Sequence, residues 1–105
     1  MKNKLPPIHP GKHIEQALEA LDLSNAEAAR ILGCSRAFIG DLVRGKRDLS
    51  VEMCFKVSGL VGSTPEFWAA LQSQYDLKIA ERDTALLGAV KKIQQNAKSH
   101  HPVHA

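Results

Sequence analysis

The segment Ser24–Arg47, SNAEAARILGCSRAFIGDLVRGKR, constrains the fold of this chain more than any other part. Ser24 followed by Glu27 has the form of a capping box, so a helix is expected from Asn25 to Leu32. Its inward residues are Ala28, Ala29 and Leu32. Gly33 ends it, because glycine takes the left-handed conformation that closes a helix without steric cost. Ser35 caps the next helix, with Cys34 in the turn and Ile39 and Leu42 turned inward; Gly45 ends that one. Two helices this short, joined by one turn, must cross steeply and be small where they touch, which Ala28 and Ala29 supply. This is the outline of a helix-turn-helix, whose second helix lies in the major groove of DNA.

The outer face of that second helix carries Arg36, Ala37, Gly40 and Arg44. Arginine can hold guanine O6 and N7 with two hydrogen bonds, and such a pair discriminates by about 1–3 kcal/mol. Arg36, in the first turn, is the first candidate for base reading. Ala37 and Gly40 are small enough to let the helix sit deep, and Ala37 suits a thymine methyl. Asn25, Ser35 and the backbone N–H groups of the two helix N-termini suit phosphates, which set register without reading sequence. Arg44, Lys46 and Arg47 suit the flanking phosphates. Phe38 is either a core residue or an apolar base contact. Asp41 is a negative charge near the proposed face and counts against DNA. The same geometry occurs in all-helical proteins that never touch DNA, so a protein-interaction module without DNA binding is a rival reading.

Around this segment the helical period continues. Met1–Ile8 reads as an arm extended by Pro6 and Pro7. A first helix is expected from about His9-Pro10-Gly11, burying Ile14, Ala17, Leu18 and Leu21. Ser50 caps a fourth helix, with Val51, Cys54, Val57 and Val61 on one face. Gly59 within it costs roughly 1 kcal/mol relative to alanine, which packing or a bend would explain. Thr64 caps a fifth helix that opens on Pro65, with Trp68, Leu71 and Tyr75 on one stripe and Phe67 beside it. From Leu77 the period weakens, then Leu86, Val90, Ile93 and Ala97 predict a helix that continues or restarts up to about Gln95. Residues 96–105 are expected to be mobile. No strand pattern and no internal repeat is visible.

His9-Pro10-Gly11, the Ser24–Arg47 segment and Thr64-Pro65-Glu66-Phe67-Trp68…Leu71-Gln72…Gln74-Tyr75-Asp76-Leu77 together resemble the HigA (VapI-like) antitoxins of the XRE/Cro helix-turn-helix family. The first and last of these segments are more specific than the helix-turn-helix itself. The resemblance implies an all-α fold: a compact five-helix, lambda-repressor-like domain over residues 9–82, with a C-terminal helical extension and tail over residues 83–105. It implies a homodimer on a palindromic double-stranded operator, formed through the C-terminal part. It also implies a partner toxin, a RelE-like mRNA endonuclease, which the antitoxin neutralises while repressing their shared operon. A regulator of phage or restriction-controller type, with no toxin, shares the fold and is the nearest alternative. Asn25 stands where the family often has Gln, Ala28 where it has Leu, Arg44 where it has Asn, and Gly40 where it has a small polar residue. These departures bear on the operator rather than on the fold. The dimer candidates are Leu77, Leu86, Leu87 and Val90; the alternative for that apolar stripe is a helix packed on its own domain.

Composition bears mostly on what is excluded. The chain has 105 residues, with 14 Lys and Arg against 11 Asp and Glu. The excess is mild, so the placement of charge matters more than its sum. Cys34 and Cys54 form no C-x-x-C and read as small core residues. His9 and His13 are at helical spacing, and His100, His101 and His104 cluster, but no carboxylate or cysteine completes a metal set. No nucleophile–base signature, glycine-rich phosphate loop or paired carboxylates points to an enzyme, and no cofactor is implied. With no signal peptide and no apolar run of membrane length, a cytoplasmic protein is expected.

Overall fold

The computed structural model describes residues 6–100, and every regular element among them is helical. The elements are α1 (Pro10–Ala20), α2 (Asn25–Leu32), α3 (Arg36–Val43), α4 (Val51–Val61), α5 (Pro65–Ala80) and α6 (Thr84–His100). The chain forms two compact units, one ending at Tyr75 and the other beginning at Asp76.

The core of the first unit is built from Ile14 and Leu18 of α1, Ala28, Ala29 and Leu32 of α2, Ile39 and Leu42 of α3, and Met53, Cys54 and Val57 of α4, closed by Leu49 and Trp68. Ala28 is fully buried, and its methyl group is what allows α2 and α3 to approach closely. The serine caps of α2, α3 and α4 form as the sequence predicts. Ser24 Oγ accepts from Glu27 N at 3.1 Å while Glu27 Oε1 accepts from Ser24 N at 2.9 Å, and Ser35 Oγ accepts from Phe38 N at 3.0 Å. Gly33 closes α2 at φ 75°. Asp22 supplies the other positive φ in this region, 57°, in the turn between α1 and α2; aspartate is among the few residues that tolerate it.

The Ser24 hydrogen bonds, from backbone first and side chain second, hold the Glu27 carboxyl below its ordinary pKa. A lowered carboxylate stabilises the fold above its unfolded pKa, and that contribution disappears as pH falls through the folded value. Independently of that effect, loss of the N-cap in Ser24→Ala is expected to cost about 1 kcal/mol at neutral pH. Alanine keeps the backbone N–H, the larger of the two causes, so the loss of stability on acidification should flatten only slightly, which thermal unfolding between pH 6 and the acid range would read.

Four expectations need correction. Leu21, expected on the buried face of α1, is 46% exposed at the helix C-cap. Val51 is 74% exposed rather than part of the buried face of α4. That face is instead Met53, Cys54, Val57 and Ser58, because Ser50 starts the helix and leaves Val51 at its first, outward position. Gly59 has open space where a Cβ would stand, so no packing accounts for it. Finally, the helical period beyond Leu77 restarts: Asp83 Oδ1 accepts from Leu86 N at 3.0 Å and caps α6, which runs to His100 rather than stopping near Gln95. Residues 96–100, expected to be mobile, are thus helical. The remainder of the tail, 101–105, and the start of the arm, 1–5, lie outside the described residues.

Candidate nucleic-acid interface

Arg36, Ala37, Gly40 and Arg44 fall on the side of α3 opposite Ile39 and Leu42, which are fully buried. Arg36 and Ala37 are exposed at the first turn. Ser35 satisfies the Phe38 N–H, so the amides of Arg36 and Ala37 remain directed out of the helix end, as the first amides of any helix do. Asn25 holds the equivalent place at the start of α2 and is half-buried. There the capping box places a carboxylate beside the helix N-terminus, leaving α2 the less welcoming end for a phosphate.

Farther along α3 the geometry differs from a bare small-residue surface. Arg44 Nη2 donates to Asp41 Oδ1 at 2.9 Å. Its guanidinium lies over Gly40, where a Cβ would stand 3.1 Å from Nη1. Gly40 is thereby covered. Phe38 resolves into a core residue, partly buried against the hydrophobic cluster. Its ring also carries the Arg47 guanidinium, 4.6 Å from the centroid, so Phe38 orients that cation.

The basic loop after α3 is held at several points. Gly45 takes φ 78°, and Lys46 N donates back to Asp41 O at 2.8 Å. His9 packs against Gly45. Its Nε2 lies 3.0 Å from Asp48 Oδ1, its Nδ1 accepts from Gly11 N at 2.9 Å, and its ring meets Tyr75 edge-on at 4.9 Å. Accepting through Nδ1 leaves the donated hydrogen on Nε2 for Asp48. Gln72, buried on α5, accepts from Leu49 N at 2.8 Å. Gly11 brings the start of α1 against the end of α3: an added Cβ would lie 2.0 Å from the Leu42 carbonyl oxygen.

Residue chemistry alone does not reveal these anchors. His9, Gln72 and Tyr75 stand out in the sequence as parts of two motifs, but the links they make, His9 to Asp48, Gln72 to Leu49 and Tyr75 to His9, do not. His9 and His13 share the helical spacing of a metal pair, yet both ring nitrogens of His9 are committed within the fold. Burial pushes the thiols of Cys34 and Cys54 up from their ordinary value, so neither is poised as a thiolate. Among the described residues no helix is long and apolar enough to cross a membrane.

The helix-turn-helix family profile matches residues 14–68, the span from α1 into α5. An addiction-module antidote protein of the HigA family from Coxiella burnetii superposes with a TM-score of 0.70 at 32% identity, over 87% of this chain and 95% of that one. The chain belongs to the HigA family of helix-turn-helix proteins. Antitoxin HigA of Pseudomonas aeruginosa, solved with the higBA promoter, superposes with a TM-score of 0.67 at 33% identity over 85% of this chain and 92% of that one. Virulence-associated protein A' of Dichelobacter nodosus is 44% identical over 78 residues, 73% of this chain; the match spans 65% of that protein's own length. Within the HigA family framework, α2 and α3 are the helix-turn-helix pair, and the Gly45–Leu49 loop leads from its second helix into α4.

Proposed function

We propose that this chain is a DNA-binding transcriptional repressor and the antitoxin of a type II toxin–antitoxin pair. The observation that carries the reading is the convergence of His9 and Gln72 on the loop that follows α3, with Tyr75 packed edge-on against His9. The two family-specific segments thus brace the very part of the helix-turn-helix that meets phosphates. The HigA relative solved with promoter DNA supports double-stranded DNA as the partner. In this reading Arg36 and Ala37 face base edges, while Asn25, Ser35, Lys46 and Arg47 engage phosphates. The partner is a RelE-like mRNA endonuclease, and binding to the operator of the shared operon represses it.

A homodimer places two recognition helices about 34–36 Å apart on one face of the duplex. We assign its contact to Leu77, Leu86, Leu87 and Val90, which are 62%, 44%, 48% and 40% exposed in the single chain. On α6, Leu86, Val90, Ile93 and Ala97 alternate spacings of four and three, the seam of a coiled coil. Lys91, Lys92 and Lys98 lie off that seam, so a second copy can close it without opposing cations. Replacing Leu86 and Val90 together by glutamate is expected to convert a dimer to monomer in sedimentation at micromolar concentration, and to weaken binding to a palindromic operator while leaving the helical content intact. A variant that sediments like the parent would remove these residues from the interface.

The antitoxin half is tested by the adjoining reading frame. A basic frame of roughly 90–110 residues is expected beside this gene. Its expression alone should arrest growth, and co-expression of this chain should restore it. Absence of such a frame, or arrest that this chain does not relieve, would leave a regulator without a toxin. For the DNA half, Lys46→Ala should weaken all duplexes alike and reduce the salt slope of binding by about 1.

A further inference from the structure

Asp41 sits on the face of α3 that turns toward DNA, where a carboxylate is repelled by every neighbouring phosphate. Gly40, beside it, is a glycine in a helix interior with no positive φ to require it. Such a residue costs roughly 0.5–1 kcal/mol relative to alanine. Each residue is unfavourable taken alone, and Arg44 links the two. A helical side chain covers the turn N-terminal to its own Cα, so Arg44 reaches back over Gly40. The missing Cβ gives its guanidinium a seat, since a methyl group there would stand 3.1 Å from Nη1 and 3.4 Å from Nη2. Asp41 Oδ1 then holds Nη2 at 2.9 Å. The bond to Asp41 engages one of the five N–H donors of the fork.

We infer that Asp41 and Gly40 are positioning residues that hold Arg44, folded back over Gly40 from the C-cap of α3, as a second base-reading group rather than as a phosphate contact. A long arginine at a helix end normally samples many rotamers, and ordering it on binding costs free energy. The carboxylate and the glycine seat set that orientation beforehand. They also keep the guanidinium on the groove side of the helix instead of letting it swing to a backbone phosphate. The ligand is a guanine edge, which alone in the major groove presents two acceptors to one fork. This assignment rests on the DNA-binding reading above, and it shifts part of the sequence preference to the middle of α3.

The test compares two affinities at one salt concentration: for duplex DNA from directly upstream of this gene, and for a random duplex of equal length. Asp41→Asn removes a negative charge, so random DNA should bind as well or better. Binding to the upstream duplex should nevertheless weaken, so that the ratio of the two falls about fivefold or more. Arg44→Lys retains the charge but not the fork; it should lower the ratio similarly and leave the salt slope unchanged. Gly40→Ala, which crowds Nη1, should lower it less. Thermal unfolding of Asp41→Asn should match the parent, since the pair is largely exposed. If Asp41→Asn tightens both duplexes equally, Asp41 is an ordinary surface partner and the inference fails while the repressor reading stands. If the parent itself shows no preference for its upstream DNA, the repressor reading fails and takes the inference with it.

Discussion

Gly11→Ala is expected to destabilise the protein by about 3 kcal/mol or more, at or beyond the upper end of what overpacking usually costs. The new Cβ would stand 2.0 Å from Leu42 O and 3.0 Å from both Leu42 C and Val43 Cα. All three are backbone atoms, so no rotamer change relieves the clash; the start of α1 must move away from the end of α3. Retreat would pull His9 from Gly45 and Asp48, because His9 caps α1 only two residues earlier. For a domain of this size the shift in midpoint is about 4–8 °C per kcal/mol, so a fall of roughly 12 °C or more is expected in a thermal scan.

Gly59→Ala is the matched control. Gly59 also lies in a helix but has nothing within 4 Å of its would-be Cβ. It should gain roughly 0.5–1 kcal/mol from helix propensity and reduced unfolded-state entropy. The same chemical change then gives opposite signs at two helical glycines. A Gly11→Ala midpoint close to the parent's would mean that α1 and α3 do not approach as described. Loss of operator binding in Gly11→Ala should follow its loss of folded protein at the assay temperature, with a further drop from the displaced loop.

The contrast between those glycines shows where sequence reading reaches and where it stops. Periodicity and caps locate α1 to α5 because those signals are local: a serine and a glutamate three residues on are sufficient to start α2. Ile39 and Leu42 can be placed inward for the same reason. Gly11, by contrast, looks like any glycine near a helix start, and its need arises from a carbonyl more than thirty positions away. Gln72 has the same character, since its acceptor role depends on Leu49 N arriving from another segment. Periodicity misplaces Val51 because apolar spacing alone cannot tell the first outward position of a helix from a buried one. At the site, exposure of Arg36 follows from its register on α3. The coverage of Gly40 by Arg44, and of Phe38 by Arg47, depends on side-chain directions that register does not specify.

Arg36→Ala is expected to weaken operator binding by about 1–3 kcal/mol, roughly 5- to 150-fold, and to relax preference at a single base position. Three arginines and a lysine border the interface, and their surroundings separate them. Arg47 rests on the Phe38 ring, and Arg44 is held by Asp41. Lys46 follows the turn at Gly45, beyond the end of α3. Arg36 is in the first helical turn, where side chains lean toward the N-terminus and hence toward the end of the helix that enters the groove. It is exposed, so its fork of donors is open to a guanine edge. Titrating salt distinguishes a base-reading residue from a phosphate-binding one. Removing the guanidinium at position 36 should lower specific affinity far more than affinity for random duplex. Removing the ammonium at position 46 should lower both together. Lysine at position 36 retains charge without the bidentate fork, so Arg36→Lys should recover non-specific binding but little of the discrimination. A salt-matched gel shift in which Arg36→Ala binds the upstream duplex as tightly as the parent would make Arg36 a solvated surface residue and move sequence reading to Ala37 and Arg44.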